Sequence, residues 1–381
     1  MRIALIISSL SHGGAERVMS EMANYWAAKG WDIHLITLSS TDSDFFRTDS
    51  RVHRIGLGLR APSKNIFETL LNLHMRIRAL RRAIVGIEPD AVIAFSDIVN
   101  FMSLIACGGL GLPVVISERT NPRLYRLGFL FSMLRRLSYP HAARFICQTE
   151  SIRDHWASFL LKERTAVIPN PAPDSVPTPS LSDEFLPLFS NSRKKVIGIG
   201  RLGWEKGFDR LIEAFSLVAS ENEDWDLIIF GEGTERKNLE KTALAMDLEG
   251  RVFLPGITTS SAAVLKHAKL FVLTSHFEGF PNVLLEAMAS GLPVVSFDCD
   301  YGPREIIRHG HDGLLVDQDD VPGLANAMAD LMANPEKRRE LGEHAWEVRE
   351  RFGIVPIMSR WEDVIQRALD ERNENRSLVK P

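Results

Sequence analysis

The chain has 381 residues, 45% of them apolar and 25% charged, and its 45 Lys and Arg against 49 Asp and Glu leave a net charge of −4. That is ordinary globular composition, which excludes disordered, collagen-like and polytopic membrane classes, and the length predicts two domains at roughly 100–200 residues each. Cys107, Cys147 and Cys299 stand far apart with no CxxC pair, so neither a disulfide scaffold nor a zinc ribbon is expected and a reducing cytosol fits.

Taken in chain order, short apolar runs alternate with stretches of helical length. A first strand, Ile3–Ile7, feeds Gly13-Gly14-Ala15-Glu16-Arg17 and a helix over Glu16–Lys29, which is a strand and glycine turn and not a secretory signal. Paired glycines let a backbone approach a ligand, and a helix N-terminus offers free amides to an anion; the same residues also suit a plain tight turn. A strand over Ile33–Leu38 follows. The stretch Asn65–Gly86 interleaves Arg76, Arg78, Arg81 and Arg82 with Leu70, Leu71, Leu73, Met75, Ile77, Leu80 and Ile84. Such a basic amphipathic helix can lie on an anionic membrane or hold a lipid diphosphate, or it can pack on a sheet with its arginines in water. Residues 51–136 hold 13 basic and 5 acidic side chains, which suggests an anionic partner for this segment. Strands over Ala91–Phe95, Val114–Ser117 and Arg144–Cys147 complete the first series. The apolar stretch Ala91–Ile116 carries Asp97 and Asn100 near its middle and reads as strand, helix and strand, not as a membrane span.

Pro169-Asn170-Pro171-Ala172-Pro173, Pro177 and Pro179 interrupt any helix or central strand and mark a linker. A second series of strands follows: Lys195–Ile199, Leu227–Phe230, Val252–Leu254, Leu270–Leu273, Val294–Phe297 and Gly313–Val316. Continuous apolar strands alternating with helices predict parallel sheets covered on both faces, and ligands in such folds bind at the carboxyl ends of the strands. Three features sit at such ends. Gly198-Ile199-Gly200-Arg201-Leu202-Gly203 has the GxGxxG spacing of a dinucleotide site, but Glu232, the first acid after the next strand, lies too far on to serve a ribose. Arg201 and Lys206 share that loop, and two cations so placed suit a diphosphate. The segment from His276 to Met288 brings Glu278, Gly279 and Phe280 to the start of a helix, with Pro281 expected as the first helical residue and Glu286 inside it. The amides near Phe280–Val283 would face phosphate oxygens, and a carboxylate in an apolar helix needs a partner such as a sugar hydroxyl.

Glu278 and Glu286 resemble the E-x7-E motif of the GT4 family of retaining glycosyltransferases. The glycine turn after the first strand, the Arg201 to Lys206 loop and Gly231-Glu232-Gly233 extend the resemblance over nearly the whole chain. Gly-Gly-Ala-Glu-Arg-Val and Ser117-Glu118-Arg119-Thr120-Asn121 look like a bacterial subgroup that extends oligosaccharides on undecaprenyl diphosphate, for N-glycan, O-antigen or exopolysaccharide assembly. The resemblance implies a GT-B fold, two Rossmann-like doubly wound domains facing across a cleft. Their expected bounds are 1–175 for an acceptor-binding domain, 176–192 for a linker, 193–353 for a nucleotide-sugar-binding domain and 354–381 for a helix returning to the first domain with a frayed tail.

By position, the resemblance assigns Arg201 and Lys206 to the nucleotide diphosphate, Glu286 to ribose hydroxyls, Glu278 to the donor sugar and the Gly279, Phe280, Pro281, Asn282 and Val283 turn to phosphate. Ile257 would edge the base, and Gly14 would approach the donor from the other domain. Gly13, Arg76, Arg78, Arg81 and Arg82 would face a polyprenyl-linked acceptor. Where many relatives have a cleft histidine this chain has Ser117-Glu118-Arg119, leaving Glu118 and Arg119 as candidates near the anomeric carbon. The implied reaction is retaining transfer of a hexose or N-acetylhexosamine from a nucleotide sugar, UDP being the family expectation, with no metal and no other cofactor. The expected location is the cytoplasm, peripheral to the inner face of the cell membrane. Asp298-Cys299-Asp300 has the spacing of metal-dependent transferases but reads as a strand-end loop. An NAD-dependent oxidoreductase on Gly198–Gly203 and a non-hydrolysing sugar-nucleotide epimerase are the competing readings. No aromatic-interleaved basic stripe supports nucleic-acid binding.

Overall fold

The computed structural model describes the chain except residues 12, 61–63, 120–127, 157–159, 161, 174–179 and 380–381. The chain divides into two compact units, Met1–Asn170 with the chain from Ile357 onward, and Pro171–Pro356.

The first unit is a parallel sheet of β1 (Arg2–Ile7), β2 (Asp32–Thr37), β3 (His53–Gly56), β4 (Ala91–Phe95), β5 (Val114–Ser117), β6 (Arg144–Cys147) and β7 (Thr165–Val167). Their order is β3-β2-β1-β4-β5-β6-β7. Ile3–Ile7 and Ala91–Phe95 are wholly buried, as a central parallel strand with both faces covered must be. The helix Ile354–Val379 enters this unit late in the chain: Trp361 is fully buried against Phe95, and Glu362 meets Lys29 at 2.6 Å. Arg144 of β6 is ion-paired with Glu371 of the same helix.

The second unit holds β8 (Lys194–Ile199), β9 (Trp225–Phe230), β10 (Val252–Gly256), β11 (Leu270–Leu273), β12 (Val294–Phe297) and β13 (Leu314–Val316), all parallel, in the order β10-β9-β8-β11-β12-β13. Alternation splits its apolar residues between two cores. Val196, Leu227, Ile229, Val272 and Val295 pack with helices Phe208–Ala219 and Val321–Ala333. Ile197, Ile228, Phe271 and Val294 pack with helices Ser261–Leu265 and Asn282–Ala289. Lys195 and Asp226, cross-strand partners in β8 and β9, form a buried ion pair at 2.6 Å, and the Lys195 ammonium also bonds Asn191.

Of the linker expected over 176–192, residues 176–179 lie outside the described residues. The rest is not free linker: Leu181 and Phe185 are buried in the second core and a short helix, Leu186–Phe189, follows. Two apolar side chains four residues apart suffice to fold this stretch onto the sheet, which the prolines before it obscured.

Candidate active site

In the second sheet the strand order reverses between β8 and β11, and the crevice outside the carboxyl ends of two such strands is where doubly wound folds bind ligands. Four contacts knit the loops that leave those strands. The Lys206 ammonium donates to Glu278 at 2.6 Å, and Ser275 Oγ donates to the same carboxylate oxygen at 2.6 Å. The His276 N–H reaches the Glu205 carbonyl at 2.9 Å, and Thr274 Oγ1 reaches the Lys206 carbonyl at 3.1 Å. Gly207 makes this closeness possible. It is left-handed (φ 58°), and a Cβ there would lie 2.3 Å from the Thr274 carbonyl oxygen. Gly231 does the same for the next loop, since a Cβ would meet the Gly200 carbonyl at 1.8 Å.

Lys206 and Glu278, 72 residues apart in the chain, are thus brought together, both largely buried. Arg201 lies on the same loop but is 74% exposed, its guanidinium held by Glu205 at 2.8 Å from Nε and 2.5 Å from Nη2. The neighbouring helix begins one residue later than expected. Pro281 is its N-cap with extended backbone (φ −73°, ψ 99°), Asn282 its first residue, and the Leu284 and Leu285 N–H groups both turn back to the Pro281 carbonyl. Asn282, Val283 and Glu286 fall on the accessible face of that helix, while Leu284, Leu285, Ala287 and Met288 are buried. Glu286 accepts a hydrogen bond from Ser261 at 2.5 Å. Gly279 is half-buried and Phe280 buried; Ile257, beyond β10, is 49% exposed. Burial and the nearby Arg210 hold the His276 imidazole below its usual range. Ser275 and Ser261, which buttress the two glutamates, carry no sequence signal, because a serine after a strand is commonplace.

Several expected residues make contacts within their own unit. Glu118 is 1% exposed and takes the Tyr139 hydroxyl proton into a hydrogen bond, and burial pushes its carboxyl up to about 7. It lies in the interior of the first unit. Arg119 donates to Asn170 at 2.5 Å and stacks on the Phe95 ring at 3.7 Å, and burial lowers its guanidinium to about 9. Its Nε and Nη2 have no partner among the described residues. Gly13 caps the helix Gly14–Ala28 in extended backbone, and the Glu16 carboxylate folds back so closely that a Cβ on Gly13 would lie 2.2 Å from it. The helix Ile66–Ile87 spends two of its arginines structurally. Arg76 donates to the Leu59 carbonyl at 2.9 Å, and Arg81 to those of Ala106 and Gly108 at 2.7 and 2.8 Å. Arg78 and Arg82 are exposed. Asp298, at the end of β12, is paired with Arg304 at 2.8 Å, and Cys299 is buried with its thiol pushed up to about 12. Gly198 of the GxGxxG run lies inside β8, where a Cβ would press on Leu211 and Phe208 at 3.1 Å, so its smallness serves helix packing.

A cation paired with a carboxylate stands at a strand-order reversal, beside a helix start and a second glutamate, where doubly wound folds bind ligands. Residues 12–175 match the family described as Glycosyltransferase Family 4, and residues 183–348 match Glycosyl transferases group 1. The chain belongs to the GT4 glycosyltransferases of GT-B fold, and its activity is glycosyl transfer. It is 26% identical to an uncharacterised glycosyltransferase of Haemophilus influenzae over 93% of this chain and 97% of that one. It is 28% identical to a Campylobacter jejuni enzyme named as a GalNAc-α-(1→4)-GalNAc-α-(1→3)-diNAcBac-PP-undecaprenol α-1,4-N-acetyl-D-galactosaminyltransferase, over 95% and 97% of the two chains. Among solved structures, Anabaena HepE in complex with UDP and glucose superposes with a TM-score of 0.76 at 19% identity, covering 96% of this chain and 99% of that one. Family membership displaces the oxidoreductase and epimerase readings.

Proposed function

We propose that the protein transfers a hexose or N-acetylhexosamine from a UDP-sugar, with retention and without a metal, to a saccharide carried on a polyprenyl diphosphate. The observation that carries the donor half is the Lys206–Glu278 pair at the β8 and β11 ends. As the donor C1–O bond breaks, negative charge builds on the leaving diphosphate. Lys206, Arg201 and the positive end of helix Asn282–Ala289 are groups of the second unit suited to receive it. Arg201 leaves Glu205 at small cost because it is exposed. Glu278 then exchanges Lys206 for sugar hydroxyls, and Glu286 exchanges Ser261 for ribose. With two cations on the diphosphate, leaving-group stabilisation needs no metal ion. The UDP complex of HepE and the undecaprenyl acceptor in the Campylobacter enzyme's name support this choice of donor and acceptor.

The acceptor half rests on the first unit. Ile66, Phe67, Leu70, Leu71 and Met75 are 41–76% exposed at the start of the helix Ile66–Ile87, with Arg78 and Arg82 exposed further along it. Apolar side chains beside free cations suit the face of an anionic bilayer, where the lipid-linked acceptor resides. No described helix is long and apolar enough to cross a membrane. The reading is tested by incubating the full chain with UDP- and GDP-sugars and a polyprenyl-diphosphate disaccharide, with mass detection of the lengthened lipid. Extension with one UDP-sugar, with the new linkage of the donor's anomeric configuration, is expected. Extension only from a GDP-sugar, or an inverted linkage, overturns it.

A further inference from the structure

In the first unit, Asp32, His34 and His53 form a three-sided cage. Asp32 and His34 are two residues apart in β2 and therefore on one face, and His53, the first residue of β3, is the registered cross-strand partner of His34. The two imidazoles stack with centroids 4.6 Å apart and 21° between planes. Both Nε2 atoms point at one oxygen, Asp32 Oδ1, from 3.0 Å (His34) and 3.5 Å (His53). The other oxygen, Oδ2, is held by Arg2 Nε at 2.6 Å. All three candidate ligand atoms lie within 4.8 Å of one another.

We propose that Asp32, His34 and His53 bind a divalent d-block cation of the zinc type, with water completing the shell, and that the ion clips edge strand β3 to β2. Zinc–nitrogen and zinc–oxygen bonds of about 2.0–2.2 Å in a tetrahedron set ligand atoms roughly 3.3 Å apart, close to the two distances measured from Asp32. Two imidazoles and a carboxylate are the donor set such ions select over magnesium or calcium. Arg2 acts as the outer partner that fixes the carboxylate and leaves Oδ1 as the single ligating oxygen. Its guanidinium is 45% exposed, so water screens it from the ion. The sheet backbone fixes all three ligands before the ion arrives, and His53, 62% exposed, leaves the site open to solvent. β3 is short and half-exposed, so a cross-link at its first residue adds what its few ladder bonds lack. The ligands stand toward the amino ends of β2 and β3, opposite the strand ends where doubly wound folds bind ligands.

The test is crystallisation of the full chain with Zn²⁺ and anomalous diffraction at the zinc edge, together with competition titration against a chromophoric chelator. A peak about 2.0–2.2 Å from Asp32 Oδ1 and both Nε2 atoms is expected. His34→Ala and His53→Ala should each weaken that site about tenfold or more. They should leave glycosyl transfer unchanged. His344→Ala is the control, because His311, His344 and Glu347 make a separate cluster in the second unit; it should leave the Asp32 site intact. No peak between the two histidines, or titrations that His34→Ala and His53→Ala do not alter, overturns the proposal.

Discussion

Replacing Glu278 by Gln removes one charge from the Lys206 pair and keeps the side chain's shape. The atoms are 2.6 Å apart and the side chains 22% and 10% exposed, between surface and interior. Net of desolvation, such a pair contributes about 1–2 kcal/mol. A loss of ~1 kcal/mol in a unit of this size lowers the melting temperature by about 2–4 °C. Lys206 is then free, and a diphosphate no longer competes with a carboxylate for it, so UDP should bind about 5–10-fold more tightly. Turnover should fall on the order of 100-fold or more, the usual effect of losing one preorganised polar contact to a transition state. Melting curves, calorimetric titration of UDP and a transfer assay read the three effects separately. A folded Glu278→Gln protein with weakened UDP binding, or with turnover within about threefold of the parent, refutes the reasoning.

Lys206→Ala should cut both UDP affinity and turnover by on the order of 100-fold and leave Glu278 without its cation, whereas the exposed Arg201→Ala should weaken UDP about tenfold with no change in melting, measured by the same titration. Chelation by EDTA should leave transfer intact even where it strips the Asp32 cluster; a strict manganese requirement in the assay would return attention to Asp298 and Asp300. Glu118→Gln should flatten the pH dependence of stability. The folded carboxyl titrates at about 7 instead of 4.5, so the folded state holds the extra proton across that window and stability falls as pH rises through it. Glu118's share of that fall is about 3 kcal/mol, and Gln, which still accepts from Tyr139, should abolish it in melts compared at pH 5 and pH 8.

Central strands were legible because burial on both faces favours unbroken, mostly apolar runs; Leu270–Leu273 and Val294–Phe297 match residue for residue. Edge strands β3 and β7 were not, since His53-Arg54-Ile55-Gly56 and Thr165-Ala166-Val167 are half-exposed and carry no continuous apolar run. The donor loops stood out by glycine, proline and charge at strand ends. What spacing could not show is who pairs with whom. Lys206 with Glu278 depends on β8 lying beside β11, a topological fact. Glu118 and Arg119 stood out because they follow a strand, but spacing could not show that Tyr139 donates to the one and that the other reaches Asn170 and lies over the Phe95 ring. For Arg76 and Arg81 likewise, a basic helix face does not reveal which cations also reach backbone carbonyls.

The return of the last helix to the first unit has a consequence for the order of events during synthesis. A chain that has emerged only as far as Asn170 lacks Trp361, which is fully buried beside Phe95, and lacks Glu371, the partner of the buried Arg144. The second unit is one uninterrupted stretch and has every one of its strands by Val316. The half of the molecule made first is therefore completed last. Removing the chain from Ile357 onward should damage the amino-terminal sheet, not the carboxyl-terminal one.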